Sequence, residues 1–238
     1  FYAWGSNHYS RENQIDRIAN SLTDSNVNVA QYITTDNSDV EINNNTIKPL
    51  RTYYQNNKKV VDTMRSDYKA GLDSSEHVDL VQSGHYMLIF PKYVLKVKTY
   101  SPKVQTNHYN STLNMNKQNM GSLRGSGDNY SKKISAILPG EYHFIINSQV
   151  SGRKLSATSN VNVWSNKAID MNIRTDTFTV KSVPNGLVYI NDKKVGTLDS
   201  KGNLELKDYP ITKNMNLYVT TTYNKKQLKS EQVANLGS

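Results

Sequence analysis

One eleven-residue pattern occurs twice in this chain. Residues 188–198 read Val-Tyr-Ile-Asn-Asp-Lys-Lys-Val-Gly-Thr-Leu, and residues 113–123 read Leu-Asn-Met-Asn-Lys-Gln-Asn-Met-Gly-Ser-Leu. A displacement of 75 residues places Met115 on Ile190, Asn116 on Asn191, Met120 on Val195, Gly121 on Gly196 and Leu123 on Leu198. Each copy is a short alternating strand, a polar turn and a returning strand that starts at the glycine. Repeated β modules of this kind hold, space or bind more often than they do chemistry.

Length and composition set the outer bounds. The 238 residues suit one to three domains, and an apolar fraction of 36% favours several small cores over one large core. With no cysteine, the chain has no disulfides, no thiolate zinc sites and no cysteine nucleophile. It contains no apolar run long enough to span a bilayer. It nevertheless starts with Phe1-Tyr2-Ala3-Trp4, an aromatic cluster of the sort found where a transmembrane helix leaves the bilayer. A membrane anchor is therefore expected upstream of Phe1.

The net charge of +9 is unevenly distributed. Residues 1–85 hold 8 Lys and Arg against 11 Asp and Glu, residues 86–174 hold 12 against 3, and residues 175–238 hold 9 against 6. The middle third is thus the electropositive one, and its field attracts polyanions.

The hydrophobic period divides the chain in the same way. Ser10 caps a predicted helix whose Ile15, Ile18, Ala19 and Leu22 form one apolar stripe. A short helix is predicted over 26–33 and a polar loop over 36–45. A third helix is capped by Thr46 with Pro49 in its first turn, and a fourth runs over 58–70 with Val60, Val61, Met64 and Tyr68 inward and Gly71 as its stop. The period then changes to two. Strands are predicted from Val78, with a turn at Ser83-Gly84-His85, and over 93–100, 134–138, 142–148 and 154–163, with 121–131 as a glycine and serine loop. Six short strands follow from Phe178 to Val233, separated by turns such as Pro184-Asn185-Gly186. The expected architecture is α+β: a helical domain ending in a β-hairpin (1–92), a basic β module (93–174) and a second β module (175–238), both modules sandwich-like.

The stretch Val183-Pro184-Asn185-Gly186-Leu187-Val188-Tyr189-Ile190-Asn191-Asp192-Lys193-Lys194-Val195-Gly196 resembles PEGA-like repeats, in which a Pro-x-Gly turn precedes a strand ending in Asn-Gly-Lys. Asp192 stands where that pattern has glycine, which leaves the turn type open. The order of units, with the junction Leu88-Ile89-Phe90-Pro91-Lys92-Tyr93, resembles the extracellular region of TcaA-like (teicoplanin-resistance-associated) membrane proteins of Gram-positive bacteria. That resemblance is spread over most of the chain. It implies a non-catalytic, single-pass cell-envelope protein linked to wall stress and glycopeptide sensitivity, with this region extracellular.

Motifs for chemistry are sparse. His8, His77, His85, His108 and His143 have no metal-ligand spacing. Asp36, Ser38, Asp39 and Glu41 lack the glycine and terminal bidentate glutamate of an EF-hand loop. Gly121, Gly125 and Gly127 surround Arg124 without the Gly-Lys-Ser/Thr end of a phosphate loop. No catalytic residue, metal or cofactor is expected. Basic residues at strand ends and turns are the candidate contacts: Arg124, Lys132, Lys133, Arg153, Lys154, Lys193, Lys194, Lys225 and Lys226. Charged edges also keep exposed strands from pairing with one another, an explanation that needs no ligand. The expected partner is an anionic cell-wall polymer, either teichoic acid or peptidoglycan. The alternative is a host or partner surface protein. Nucleic acid is disfavoured because charge alone supports it.

Overall fold

The computed structural model describes residues 2–236. Phe1 of the aromatic start lies outside the described residues, whereas Trp4 is exposed on the first helix. The described residues are mostly β with four α-helices, an α+β layout of several small sheets.

The first unit holds α1 (Tyr2–His8), α2 (Arg11–Thr23), α3 (Lys48–Asn56) and α4 (Lys58–Lys69), with β1 (Ile33–Thr34), β2 (Val78–Tyr86) and β3 (Phe90–Val97). Its sheet has the order β1-β3-β2, β1 parallel and β2 antiparallel to β3. Ser10 caps α2 by accepting from the Asn13 N–H at 3.3 Å, and Ile15, Ile18, Ala19 and Leu22 are buried. The helix expected over 26–33 is a 3-10 turn, Val29–Tyr32, that leads straight into β1. Pairing of Ile33 with Leu95 overrides the weak local helix preference. Thr46 does not cap α3. Its hydroxyl bonds the preceding loop instead, accepting from Asn43 N–H at 3.0 Å and donating to Glu41 O at 2.6 Å. Val60, expected inward, is exposed, while Val61 and Tyr68 are buried. The chain does not turn at 83–85: β2 passes through with an irregular register and reverses at Met87-Leu88.

The middle module contains β4 (Lys103–Thr106), β5 (Thr112–Met115), β6 (Gln118–Ser122), β7 (Arg124–Ser126), β8 (Asn129–Lys133), β9 (Gly140–Val150), β10 (Arg153–Val163) and β11 (Ile169–Asp170). Two sheets, β10-β9-β5-β6 and β11-β4-β8-β7, enclose Val104, Leu113, Phe144 and Ile146. The glycine and serine stretch expected as a loop supplies edge strand β7 and part of β8. Residues 134–138 form no strand; Ile137 makes one bridge to Tyr100, and Ile134 and Leu138 are buried.

The last module contains β12 (Thr175–Lys181), β13 (Leu187–Ile190), β14 (Lys193–Thr197), β15 (Asn203–Pro210), β16 (Leu217–Tyr223) and β17 (Lys226–Lys229). Sheets β14-β13-β16-β17 and β12-β15 pack over Val188, Ile190, Leu206 and Val219. This repeats the middle module, where β6-β5-β9-β10 and β4-β8 take the same places. In both hairpins Leu113 or Val188 faces Gly121 or Gly196, and the register slips at the next residue. Both turns have two successive left-handed residues, Asn116-Lys117 and Asn191-Asp192, the type I′ geometry that matches strand twist.

The units are joined by packing as well as by chain. Leu138 belongs to the first unit's core, and Trp164 packs against it. Gly140, at φ +144°, brings β9 so close to α3 that a Cβ there would lie 2.2 Å from the Pro49 carbonyl carbon. Farther along, Asn107 grips both sides of Ile173: its Nδ2 donates to Ile173 O at 3.1 Å, and its Oδ1 accepts from Ile173 N–H at 2.8 Å.

Candidate ligand-contacting surfaces

Direct cross-strand partners share a sheet face, which sorts the candidate cations. Lys132 stands opposite Val104, a fully buried residue, and so lies on the core side of β8. Its Nζ reaches toward the other sheet, 3.7 Å from where a Cβ on Gly121 would sit. Lys133 stands opposite Lys103 on the solvent face. Two residues along β8, Ser131 is opposite Arg124 on that same face. Lys103, Arg124 and Lys133 are all exposed, and none forms an ion pair among the described residues. Asp170 is on this face beside Gln105, but its carboxylate is bonded to Asn172. Lys103 is the member that sequence reasoning missed, because it has no basic neighbour in the chain to mark it.

The remaining candidates do not join this group. Arg153 sits at the junction with the last module, its guanidinium 4.4 Å from the Tyr209 ring centroid and its Nη1 donating to Lys207 O at 3.0 Å. Lys154 is exposed next to it. Lys193 and Lys194 follow the β13–β14 turn, whereas Lys225 and Lys226 lie at the β16–β17 turn. Because Ile190 pairs with Leu217, those two turns are at opposite ends of the sheet. Lys194 pairs across with Tyr189, which stacks on Tyr218 at 5.1 Å, and Lys229 Nζ lies 3.7 Å from the Tyr218 centroid. A stacked tyrosine pair with two lysines is therefore built on the last module.

A second feature is an aromatic cleft of about 640 Å³ where α3 and α4 meet the end of β10. Tyr53, Tyr54, Tyr68, His77 and Trp164 line it. The Trp164 ring lies 4.8 Å from Tyr53 and 5.3 Å from His77, and its buried indole N–H has no hydrogen-bond partner among the described residues. Burial pushes the Tyr54 phenol well above the ordinary tyrosine range. Burial does the same to Tyr68, with Asp79, Asp73 and Asp67 adding to it. Both phenols stay neutral at physiological pH, and the Tyr68 hydroxyl is already committed as a donor to Val78 O at 3.2 Å, so the tyrosines offer the cleft mainly their ring faces.

A more polar cleft of about 810 Å³ lies between α3 and the β5–β6 hairpin. Its His143 Nδ1 is 2.6 Å from Asn160 Oδ1, and its Glu141 accepts from Asn56 Nδ2 at 2.9 Å. Both groups are held by amide side chains. No cluster of three or more His, Asp or Glu is placed to hold a metal among the described residues. Asp36, in the acidic loop, instead pairs with Lys96 at 3.4 Å.

Comparison with known proteins is most specific for the last module. Residues 174–236 match the family described as TcaA protein 3rd/4th domain. A stretch of 142 residues, 59% of the chain, is 24% identical to the "Uncharacterized membrane protein YvbJ" of Bacillus subtilis (strain 168). The alignment spans 23% of that protein's length. No solved structure matches the chain.

Proposed function

We propose that this chain is the extracellular part of a membrane-anchored cell-envelope protein, one that contacts anionic wall polymer through its middle module and does no catalysis. The similarity of its last module to a TcaA domain, and of a longer stretch to a membrane protein, supports a place in the envelope. One observation carries the binding reading. Lys103 and Lys133 are directly opposed across neighbouring strands, with Arg124 on the same open face, and none of the three forms an ion pair among the described residues. Like charges directly opposite destabilise a sheet. A face on which three cations stand with one carboxylate, Asp170, and none of the three is ion-paired among the described residues fits the phosphates of teichoic acid, or the carboxylates of peptidoglycan stems, as an external partner. Coupling of wall state to the membrane, under wall stress or glycopeptide exposure, is the role such a contact would serve.

The experiment is retention on immobilised teichoic acid and on peptidoglycan across a salt series. Retention that weakens with added salt, and that is lost in K103E/R124E/K133E, is expected. Salt-insensitive retention, or equal retention by the triple variant, would sink the polymer reading. A protein partner on the Tyr189–Tyr218 sheet face would then be the next to test.

A further inference from the structure

Five hairpin turns among the described residues place two successive residues in the left-handed region. In four of them at least one of the two is Asn, Asp or Gly, types that tolerate it: Asn116-Lys117, Ser151-Gly152, Asn191-Asp192 and Asn224-Lys225. The fifth, between β2 and β3, uses Met87 at φ +48° and Leu88 at φ +66°. Bulky side chains are disfavoured there because Cβ crowds the following carbonyl. Nothing in the fold repays the choice. Leu88 is 93% exposed, and Met87 and Ile89 are each 56% exposed. The turn sets apolar side chains into solvent against the backbone's own preference.

The surroundings match that tip. Behind it Tyr86 and Phe90 form the last strand pair, and the Tyr9 ring stacks on both at 4.7 and 5.3 Å. α1 lies on this cluster, with Gly5 against the Phe90 ring and Trp4 edge-on to Tyr9. Of eleven large hydrophobic residues exposed among the described residues, Trp4, Met87, Leu88 and Ile89 gather at this one end. Lys92 Nζ is 5.8 Å from the Tyr86 centroid, and Arg17 donates to His8 O at 2.9 Å. Neither α1 nor residues 80–95 carry a carboxylate. Apolar residues at the tip, amphipathic rings behind them and cations at the rim form the order met on passing outward from hydrocarbon to headgroup.

We infer that the β2–β3 hairpin is a lipid-inserting tip: Met87, Leu88 and Ile89 enter the acyl boundary of an anionic bilayer, Trp4 sits at headgroup level, and Lys92 and Arg17 face the phosphates. The inference goes beyond the wall-polymer reading and needs none of it. The tip belongs to the first unit, and the cationic face belongs to the middle one.

The test uses the 238-residue chain with vesicles of phosphatidylglycerol and phosphatidylethanolamine, free of any wall polymer. The parent chain is expected to co-sediment. The variant M87N/L88G, which gives the turn the residue types its neighbours use, should lose partitioning at least about thirtyfold, since two apolar side chains leave the lipid. It should also unfold at an equal or higher temperature, because the backbone conflict is removed. The absence of cysteine permits a single label. An environment-sensitive fluorophore on L88C should shift to the blue with vesicles, whereas one on S200C in the last module should not. Failure of the parent to bind vesicles, equal binding by M87N/L88G, a lower unfolding temperature for that variant, or tip-dependent self-association without lipid would each overturn the inference.

Discussion

Asn116 and Asn191 occupy the same place in two successive modules and make the same pair of bonds. Asn116 donates its backbone N–H to His143 O at 2.8 Å, and its Oδ1 accepts from His143 N–H at 2.8 Å. Asn191 does this with Asn216, at 2.9 and 3.0 Å. Each asparagine also sits at positive φ, which ties its hairpin to the neighbouring strand at the turn. Replacing either with Ala removes the side-chain bond and strains the turn, at a cost of about 2 kcal/mol. N116G or N191G keeps the turn geometry and should cost about half of that. Urea unfolding of the four variants checks this, and similar losses in both modules are expected.

The two glycines that flank β9 separate strain from crowding. Gly140 and Gly152 both have positive φ, but only Gly140 has backbone atoms of Pro49 and Leu50 within 2.4 Å of an added Cβ; at Gly152 the space is open. G152A should cost about 1 kcal/mol, from conformation alone. G140A must also push α3 off the middle module and should cost about 3 kcal/mol. Limited proteolysis is expected to cut G140A near residues 138–140 at temperatures where G152A and the parent are intact.

How far the sequence showed these features follows the physics of each segment. The hairpin at 188–198 was readable because asparagine and alternating apolar residues both favour one local structure. The Met87-Leu88 turn was not, because neither residue prefers the conformation it adopts. Ser83-Gly84-His85 drew the prediction, although Gly84 merely lies at a pairing irregularity inside β2. Edge strand β7, Arg-Gly-Ser, carries no apolar period and is held by backbone pairing to β8. At the site, runs such as Lys132-Lys133 were visible, but which cations share a face depends on the register of β4 on β8. That register is a long-range property, and it brought in Lys103 and set Lys132 apart.

The buried tyrosines predict sensitivity to alkali. Burial raises the Tyr54, Tyr68 and Tyr142 phenols above the ordinary value near 10. A group whose folded pKa is raised keeps its proton in the native state while the unfolded chain releases it. Stability from these residues is therefore full below pH 10 and falls as pH rises above it. Phenolate absorbance should show these three titrating only as the protein unfolds. Y142F removes one such group, together with the hydrogen bond its hydroxyl donates to Leu138 O at 2.6 Å. It should lower stability at pH 7 by about 1 kcal/mol and flatten the loss above pH 10.

Arg153 was a candidate for polymer contact, yet its guanidinium is committed to Tyr209 and to the Lys207 carbonyl. Beside it, Ser151 Oγ donates to Asp208 Oδ2 at 2.7 Å. R153A is expected to loosen the last module against the middle one, visible as a broader small-angle scattering profile, while retention on teichoic acid changes less than twofold. R153K should not restore the geometry, because an ammonium lacks the flat face that lies over the ring. A large loss of retention with an unchanged profile would instead make Arg153 a ligand residue.

Lys132 and Lys133 are neighbours in sequence and carry the same charge, so net charge cannot tell them apart, but the sheet can. Lys133 stands with Lys103 and Arg124 on the open face, while Lys132 stands with Val104 on the other side of the strand. If the polymer is held by that face, K133E should weaken retention by about threefold to fivefold at low salt. K132E, with the same change in overall charge, should weaken it far less. The difference should shrink as salt is added, because exposed charges are screened over about 10 Å at 0.1 M. Circular dichroism melts of both variants control for damage to the module, in which Lys132 Nζ lies close to Gly121. Equal losses for K132E and K133E would mean that the polymer responds only to the summed field of the middle module, and the cationic face would lose its standing as a site.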